Sequence, residues 1–384
     1  MKNFKLIINL IVVVSSFMFF QCTSEYTPIV GPPGADGIDG VDGVNGVDGV
    51  DGSAASCIAC HASSHLDPII DAYAASGHGS GSSWSRGKGT SCAQCHNNEG
   101  FIDYLSNTFF KTDPDTGDYL EDVNGDLIPM VNPAGYAVSN PITCTGCHTA
   151  HRSFDFENDG NDYAVRNIDP VKLDLDPTLV LDFANSADEL GLSNLCITCH
   201  QPRTSYPIPS GTADVTITSK RYGPHHGPQA TVYEGVLGAN LAGSTGYPGV
   251  GTSTHRTGAS CTSCHMGESD DMAEGGHTWA PSLNACTTCH DTMTAIPDGI
   301  AGFDEDFATL LGLLKAKNYI ADNDEYVLGA DGINNASSSN PLVVPVKDAQ
   351  AIWNYKTILE DKSNGLHNPA YTRALLKNSI EALQ

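Results

Sequence analysis

Long hydrophobic patterns are confined to the two ends of the chain. Near the amino end, a predominantly apolar run of 15 residues from Leu6 to Phe20 follows the basic residues Lys2 and Lys5. This run is too short for a comfortable membrane-spanning helix and matches the hydrophobic region of an export signal. We therefore predict a signal peptide over residues 1–21.

Residues 301–384 show the spacing of amphipathic helices. The first predicted helix carries acidic residues at its start and lysines at its end, which suits the helix dipole, and its apolar positions are Phe303, Phe307, Leu310, Leu311 and Leu314. The second is marked by Ala349, Ile352, Tyr355 and Leu359. For the third, Asn368 is a good N-cap and Pro369 suits the first turn, and the apolar stripe is Tyr371, Leu375, Leu376, Ile380 and Leu383.

The middle of the chain is rich in turn signals. Asp115 to Asp118 and Asn124 to Asp126 separate short strand-like runs, which predicts a small β-hairpin within residues 108–130. Its clustered aspartates could bind calcium, but their spacing does not match the EF-hand loop. The predicted fold class is mostly α and irregular, with this hairpin and the C-terminal helices.

The pentapeptide Cys-x-x-Cys-His occurs six times between residues 57 and 290. Its cysteines are Cys57, Cys60, Cys92, Cys95, Cys144, Cys147, Cys196, Cys199, Cys261, Cys264, Cys286 and Cys289, and its histidines are His61, His96, His148, His200, His265 and His290. The composition would give about 0.02 such motifs by chance, and the spacing is the attachment signature of haem c. Two thiols on one helical turn can form thioethers to one porphyrin, and the following imidazole binds the iron.

Zinc sites and disulfides are the alternatives for these cysteines. Six pairs could build three four-thiolate zinc sites, but neither zinc nor disulfides require a His after every second Cys. We predict six haems c in a domain over residues 57–300, with the porphyrins forming most of the apolar core. Cys261 and Cys286 are only 25 positions apart, so the last two haems should be neighbours.

Eight further histidines are available as ligands for the opposite faces of six haems. Glycine beside His78 and His277 permits close approach to a flat ring, and His151 is too near His148 to reach around the same porphyrin. The predicted distal set is His78, His151, His225, His255, His277 and His367, with His65 and His226 as spares. The choice between the adjacent His225 and His226 stays open.

These motifs resemble those of exported multihaem c-type cytochromes, over residues 57–384. The segment Cys144 to His151 is similar to motifs in which the added His ligates another haem, and Asn364 to Pro369 resembles the C-terminal distal-ligand region of the pentahaem nitrite reductases. That family typically carries a Cys-x-x-Cys-Lys motif at its catalytic haem, and this sequence has none. The resemblance therefore implies an electron carrier, with a reductase of a small nitrogen or oxyanion substrate as the alternative.

The segment after the signal resembles the anchor of an outer-membrane lipoprotein. Cys22 is the cysteine that the haem motifs do not use, and only Gln21 separates it from the apolar run, so we predict that it is lipidated. Glycine recurs at every third position from Gly31 to Gly52. This collagen-like period is interpreted as a tether within residues 22–56, with a trimerising triple helix as the alternative.

The charge balance restricts the partners. With 45 acidic and 19 basic residues, the formal net charge is −26, which argues against nucleic-acid binding. Together with the lipid anchor, it favours electron exchange at the outer membrane or cell surface with other redox proteins or extracellular metal or mineral acceptors. An assembly or filament of several copies is a further possibility that the sequence leaves open.

Overall fold

The computed structural model describes residues 54–152, 163–203 and 206–384. Residues 58–384 form one compact unit, and only residues 54–57 of the other unit, Met1–Cys57, are described. The predicted signal peptide, the lipidation at Cys22 and the Gly-rich tether lie outside the described residues. Within the described ranges, no helix is long and apolar enough to cross a membrane.

Most regular structure is helical, and most of the helices are short. The helices are α1 (Ala54–His61), α2 (Ser63–Ala75), α3 (Gly77–Ser80), α4 (Ala93–His96), α5 (Asn98–Leu105), α6 (Cys144–Cys147), α7 (Asn194–Ile197), α8 (Gln229–Glu234), α9 (Thr254–Gly258), α10 (Cys261–His265), α11 (Leu283–Thr287), α12 (Phe303–Ala316), α13 (Val346–Asp361) and α14 (Pro369–Leu383). Two single turns of 3₁₀ helix cover Ser83–Arg86 and Gly276–Thr278. Long connecting segments separate these elements, so the predicted fold class, mostly α and irregular, is confirmed.

Three two-stranded antiparallel sheets complete the described architecture. β1 (Phe109–Phe110) pairs with β2 (Pro129–Met130), β3 (Val171–Lys172) with β4 (Val180–Leu181), and β5 (Val215–Ile217) with β6 (Leu342–Val344). The first sheet is the predicted hairpin. The other two were not expected, because strands of two or three residues are too short to show a period in the sequence.

A lysine occupies the acidic end of the hairpin. The Lys172 ammonium lies 2.5 Å from a carboxylate oxygen of Asp122 and 2.5 Å from one of Asp126. The hydrogen bond from Lys172 is the main reason that the pKa of Asp122 is lowered to about 2. At this end of the hairpin, the aspartates considered for calcium therefore form ion pairs with Lys172.

The three predicted C-terminal helices are present and surround an apolar core. Trp353 and Tyr355 of α13 and Leu375 of α14 are fully buried there. The Asn368 side chain accepts a hydrogen bond from the backbone N–H of Tyr371 (3.2 Å), as the N-cap prediction requires.

Earlier parts of the chain share this core. Ile217, Val232 and Leu241 pack in it, and the Asn354 side chain bonds both backbone groups of Ala239, at 2.7 and 2.8 Å. The predicted haem domain, residues 57–300, and the predicted helical part, residues 301–384, therefore share one core. The C-terminal helices pack against the segment around residues 215–241.

Candidate haem-binding sites

Each Cys-x-x-Cys-His motif overlaps one short helix of four to eight residues. In α6 and α10, the two cysteines lie three positions apart on one turn, which brings both thiols to the same face. The Ser260 hydroxyl caps α10 by accepting a hydrogen bond from the Ser263 N–H, and the Ser263 hydroxyl in turn accepts one from the Ser260 N–H. Arg166 donates to the carbonyls of Thr145, Gly146 and His148 and so fixes the third motif.

The six motif histidines are each placed opposite one of the six predicted distal histidines. The ring centroids are 6.1 Å apart for His61 and His151, 6.1 Å for His78 and His200, 6.5 Å for His96 and His225, 6.2 Å for His148 and His277, 6.3 Å for His255 and His290, and 6.3 Å for His265 and His367. No motif histidine lacks a partner, and no predicted distal histidine is shared between two motifs.

The spacing within the pairs fits one metal ion held between two imidazoles. A metal–imidazole bond is about 2.0–2.1 Å long and the nitrogen lies about 1.2 Å from its ring centroid, so opposite ligands have centroids about 6.4 Å apart. All six observed distances, 6.1–6.5 Å, lie close to this value. The residues present therefore fit an iron–porphyrin held by two cysteines and two histidines at each motif.

The two spare histidines are placed differently. His65 is exposed and has no ring contact with another histidine among residues that the structure describes. The ring of His226 lies 4.8 Å from that of His225 but faces the buried Glu360, with 2.6 Å between Nδ1 and the carboxylate. Within the adjacent pair, His225 thus faces the motif histidine His96, and His226 faces a carboxylate.

Hydrogen bonds hold one nitrogen of several paired histidines and leave Nε2 for the iron. The Nδ1 atoms of His148, His255 and His265 lie 2.9, 2.7 and 2.8 Å from the backbone carbonyls of Tyr163, Leu366 and Trp279. Such partners fix the tautomer and the orientation of a metal-binding imidazole. Local sequence gives no signal for them, because the acceptor lies 14 to 111 positions away.

Two other pairs use side-chain acceptors. His200 Nδ1 lies 3.2 Å from the Gln229 amide oxygen, and His367 Nδ1 lies 2.7 Å from the buried Asp361 carboxylate. Burial lowers the pKa of His367, but the Asp361 carboxylate raises it more, so that the net shift is upward. The partner of His367 is thus a carboxylate, and that of His200 is a neutral amide.

Burial keeps other paired histidines neutral. It is the main cause that lowers the pKa of His78 and of His225 to about 4. The pKa values of His96, His265 and His277 are lowered for the same main reason. Neutral imidazole is the form that binds a metal ion, so these side chains are in the required state.

The motifs lie beside one another. The Thr262 N–H of the fifth motif donates a hydrogen bond to the Ser193 hydroxyl, just ahead of the fourth motif, at 3.1 Å. The Cys199 sulfur of the fourth motif lies 3.9 Å from the Gln94 carbonyl oxygen of the second. The fifth and sixth motifs are joined by a hydrogen bond from the Ser282 N–H to the Cys264 carbonyl, at 3.0 Å. The fourth motif therefore contacts the second and the fifth, and the fifth contacts the sixth.

Comparison with proteins of known sequence identifies a relative. The C-type polyheme cytochrome OmcB of Geobacter sulfurreducens, found in two strains, is 22% identical over 350 residues, an alignment that covers 78% of this chain and 44% of OmcB. The chain is similar to a multihaem c-type cytochrome. It spans less than half the length of the relative that it matches.

Solved structures and family models add two further findings. The crystal structure of the outer cell wall cytochrome OcwA aligns with 82% of this chain and 50% of its own, at 17% identity and a TM-score of 0.43. No protein-family model matches the chain.

Proposed function

We propose that this chain relays electrons through six covalently bound haems c, each held by one motif histidine and one distal histidine. The observation that carries the proposal is the set of six histidine pairs, each with centroids 6.1–6.5 Å apart. Bound haem would supply one-electron iron chemistry. Each motif would fix the ring through two thioethers, and the two imidazoles would fill both axial positions.

This ligand arrangement favours a carrier over an enzyme. A reductase would need a haem with one open axial position, and each of the six motif histidines already faces a second histidine. The acidic chain would stabilise oxidised iron and so lower the reduction potentials. The contacts between motifs support transfer from one haem to the next within residues 57–300.

The cellular setting belongs to the same proposal. The apolar run before Cys22 supports export and lipidation, and the Gly-rich segment would hold the cytochrome away from the outer membrane. The electron partners would be other redox proteins or extracellular metal or mineral acceptors. The low basic content supports the expectation that nucleic acid is not a partner.

The intact mass of the mature protein tests the haem count. The proposal predicts a mass that exceeds the polypeptide by six haem groups, and the haem absorbance after alkaline pyridine treatment should give the same count. A variant with both cysteines of the third motif replaced, Cys144→Ala with Cys147→Ala, should lose one haem. A parent protein with fewer than six haems would refute the assignment.

A further inference from the structure

One tryptophan lies against ligands of three different haem sites. The Trp279 indole is 4.6 Å from the His78 ring and 5.4 Å from the His277 ring, in edge-to-face contacts at 85° and 70°. Its backbone carbonyl accepts the hydrogen bond from Nδ1 of His265, at 2.8 Å. These three histidines face His200, His148 and His367, respectively.

The backbone at this tryptophan is strained. Trp279 has φ 53° and ψ 13°, in the left-handed region, immediately after the 3₁₀ turn Gly276–Thr278. A bulky residue with positive φ is uncommon, and such strain persists where surrounding contacts over-determine the conformation. The strained turn directs the carbonyl to His265 while the ring contacts His78 and His277.

Other residues hold the indole in place. The Tyr73 ring of α2 meets it edge to face, at 6.2 Å. The Tyr73 hydroxyl donates to the backbone carbonyl of Ile142, two residues before the third motif. The indole thus packs against α2, and Tyr73 connects α2 to the segment that leads to the third motif.

We propose that Trp279 is the positioning residue of a branch point in the electron path. Its ring sets the orientation of the distal ligands His78 and His277, and its carbonyl sets that of the motif histidine His265. Three haems, attached by the third, fourth and fifth motifs, thereby meet at one residue. This inference rests on the proposed six-haem assignment.

The ring planes of the histidine pairs give the inference a spectroscopic signature. The relative orientation of two axial imidazoles determines the splitting of the iron d orbitals and hence the low-spin electron paramagnetic resonance (EPR) signal. The planes of His78 and His200 are nearly perpendicular, at 75°, whereas those of His148 and His277 are tilted by 33°. Nearly perpendicular imidazole planes give a strongly anisotropic signal, and planes closer to parallel give a rhombic one. Moving the indole should therefore alter the strongly anisotropic signal of the His78 site and the rhombic signal of the His277 site.

The test is low-temperature EPR of the fully loaded protein carrying Trp279→Leu. We expect six haems by mass and a shift in the g-values of two signals, assigned as those that His78→Met and His277→Met each remove. Trp279→Phe should largely restore the parent spectrum, because phenylalanine can make the same edge contacts. Trp279→Gly relieves the positive φ and keeps the carbonyl, so it should shift the same two signals and leave that of the His265 site in place.

Trp84 offers a matched control for the loss of an indole. Trp84→Leu removes an indole that contacts no histidine ring within residues 54–152, 163–203 and 206–384, and it should leave all six signals unchanged. If Trp279→Leu fails to load haem, the inference is judged on Trp279→Gly, whose shift must fall on the same two signals. Unchanged spectra for Trp279→Leu or Trp279→Gly with six haems present would overturn the branch point alone, whereas fewer than six haems in the parent would overturn the proposed function.

Discussion

Replacing Asp361 by Asn should raise the reduction potential of one haem. The Asp361 carboxylate lies 2.7 Å from Nδ1 of His367, and its side chain is only 2% exposed. Ser363 donates its hydroxyl hydrogen bond to the other carboxylate oxygen. Asparagine has the same shape and can still accept from Nδ1, so the ligand should stay in place while the negative charge is lost.

The size of the effect follows from the charge and its distance. Across the imidazole, the carboxylate would lie about 6.5 Å from the iron, where one unit charge contributes about 0.6 kcal/mol at ε of 80 and about 2.6 kcal/mol at an effective ε of 20. The charge favours the oxidised iron, which is more positive by one unit. Its removal should therefore raise the potential by about 30 to 110 mV, since about 59 mV corresponds to a tenfold change for one electron.

Spectroelectrochemical titration of the parent and the variant measures this shift. About one sixth of the absorbance change should move to higher potential, and the rest of the curve should stay within experimental error. Glu360→Gln is the matched control, because it removes the same charge from a carboxylate that faces His226. Its smaller effect should fall on the neighbouring site of His96 and His225.

A double variant connects the shift to His367. When His367 is replaced by methionine, the Asp361→Asn shift should become smaller, because the part transmitted through the hydrogen bond to Nδ1 is lost and only the through-space part remains. The reasoning would be refuted by an Asp361→Asn shift below about 30 mV or by a downward shift. A shift of the same size in the His367→Met background would refute it as well.

Four further changes test other parts of the account. His367→Ala should open one haem and produce one equivalent of carbon monoxide binding that the parent lacks. His226→Ala should leave all six haems low-spin, and a new high-spin signal would make His226 the ligand in place of His225. Asn368→Ala should lower the free energy of unfolding by about 1 kcal/mol through the lost N-cap, measured by denaturant titration, and unchanged stability would contradict the capping role. Cys22→Ser should move the protein from the membrane fraction to the soluble fraction, and a variant that stays with the membrane would place the anchor elsewhere.

The sequence predicted the elements whose signals are local. The helices α12, α13 and α14 follow from their apolar period, and the Asn368 cap and the hairpin around residues 109–130 follow from short-range residue preferences. The candidate ligands were also predictable, because each motif carries its own chemistry and the supply of remaining histidines is small. The glycines beside His78 and His277 indicated that the backbone there can approach a flat porphyrin closely, and this signal needs only the adjacent residues.

The pairing of the ligands could not be predicted from the sequence. His78 faces His200 and His96 faces His225 across more than a hundred intervening residues, and no local pattern encodes such a contact. The contacts of Trp279 and Asp361 with histidines could not be predicted either. Trp279 meets His78 through the packing of distant segments, and Asp361 meets His367 through the turn that joins α13 to α14. The shared core of residues 215–241 and the C-terminal helices was missed for this reason as well.

The most direct test of the central claim is the EPR spectrum of the oxidised parent protein, recorded with and without carbon monoxide exposure after reduction. Four histidine pairs have nearly perpendicular ring planes, at 75–88°, and two are tilted, at 33° and 51°. The account predicts four strongly anisotropic low-spin signals, two rhombic ones, no high-spin haem and no carbon monoxide binding. A high-spin signal with stoichiometric carbon monoxide binding at one haem would contradict it and favour a reductase.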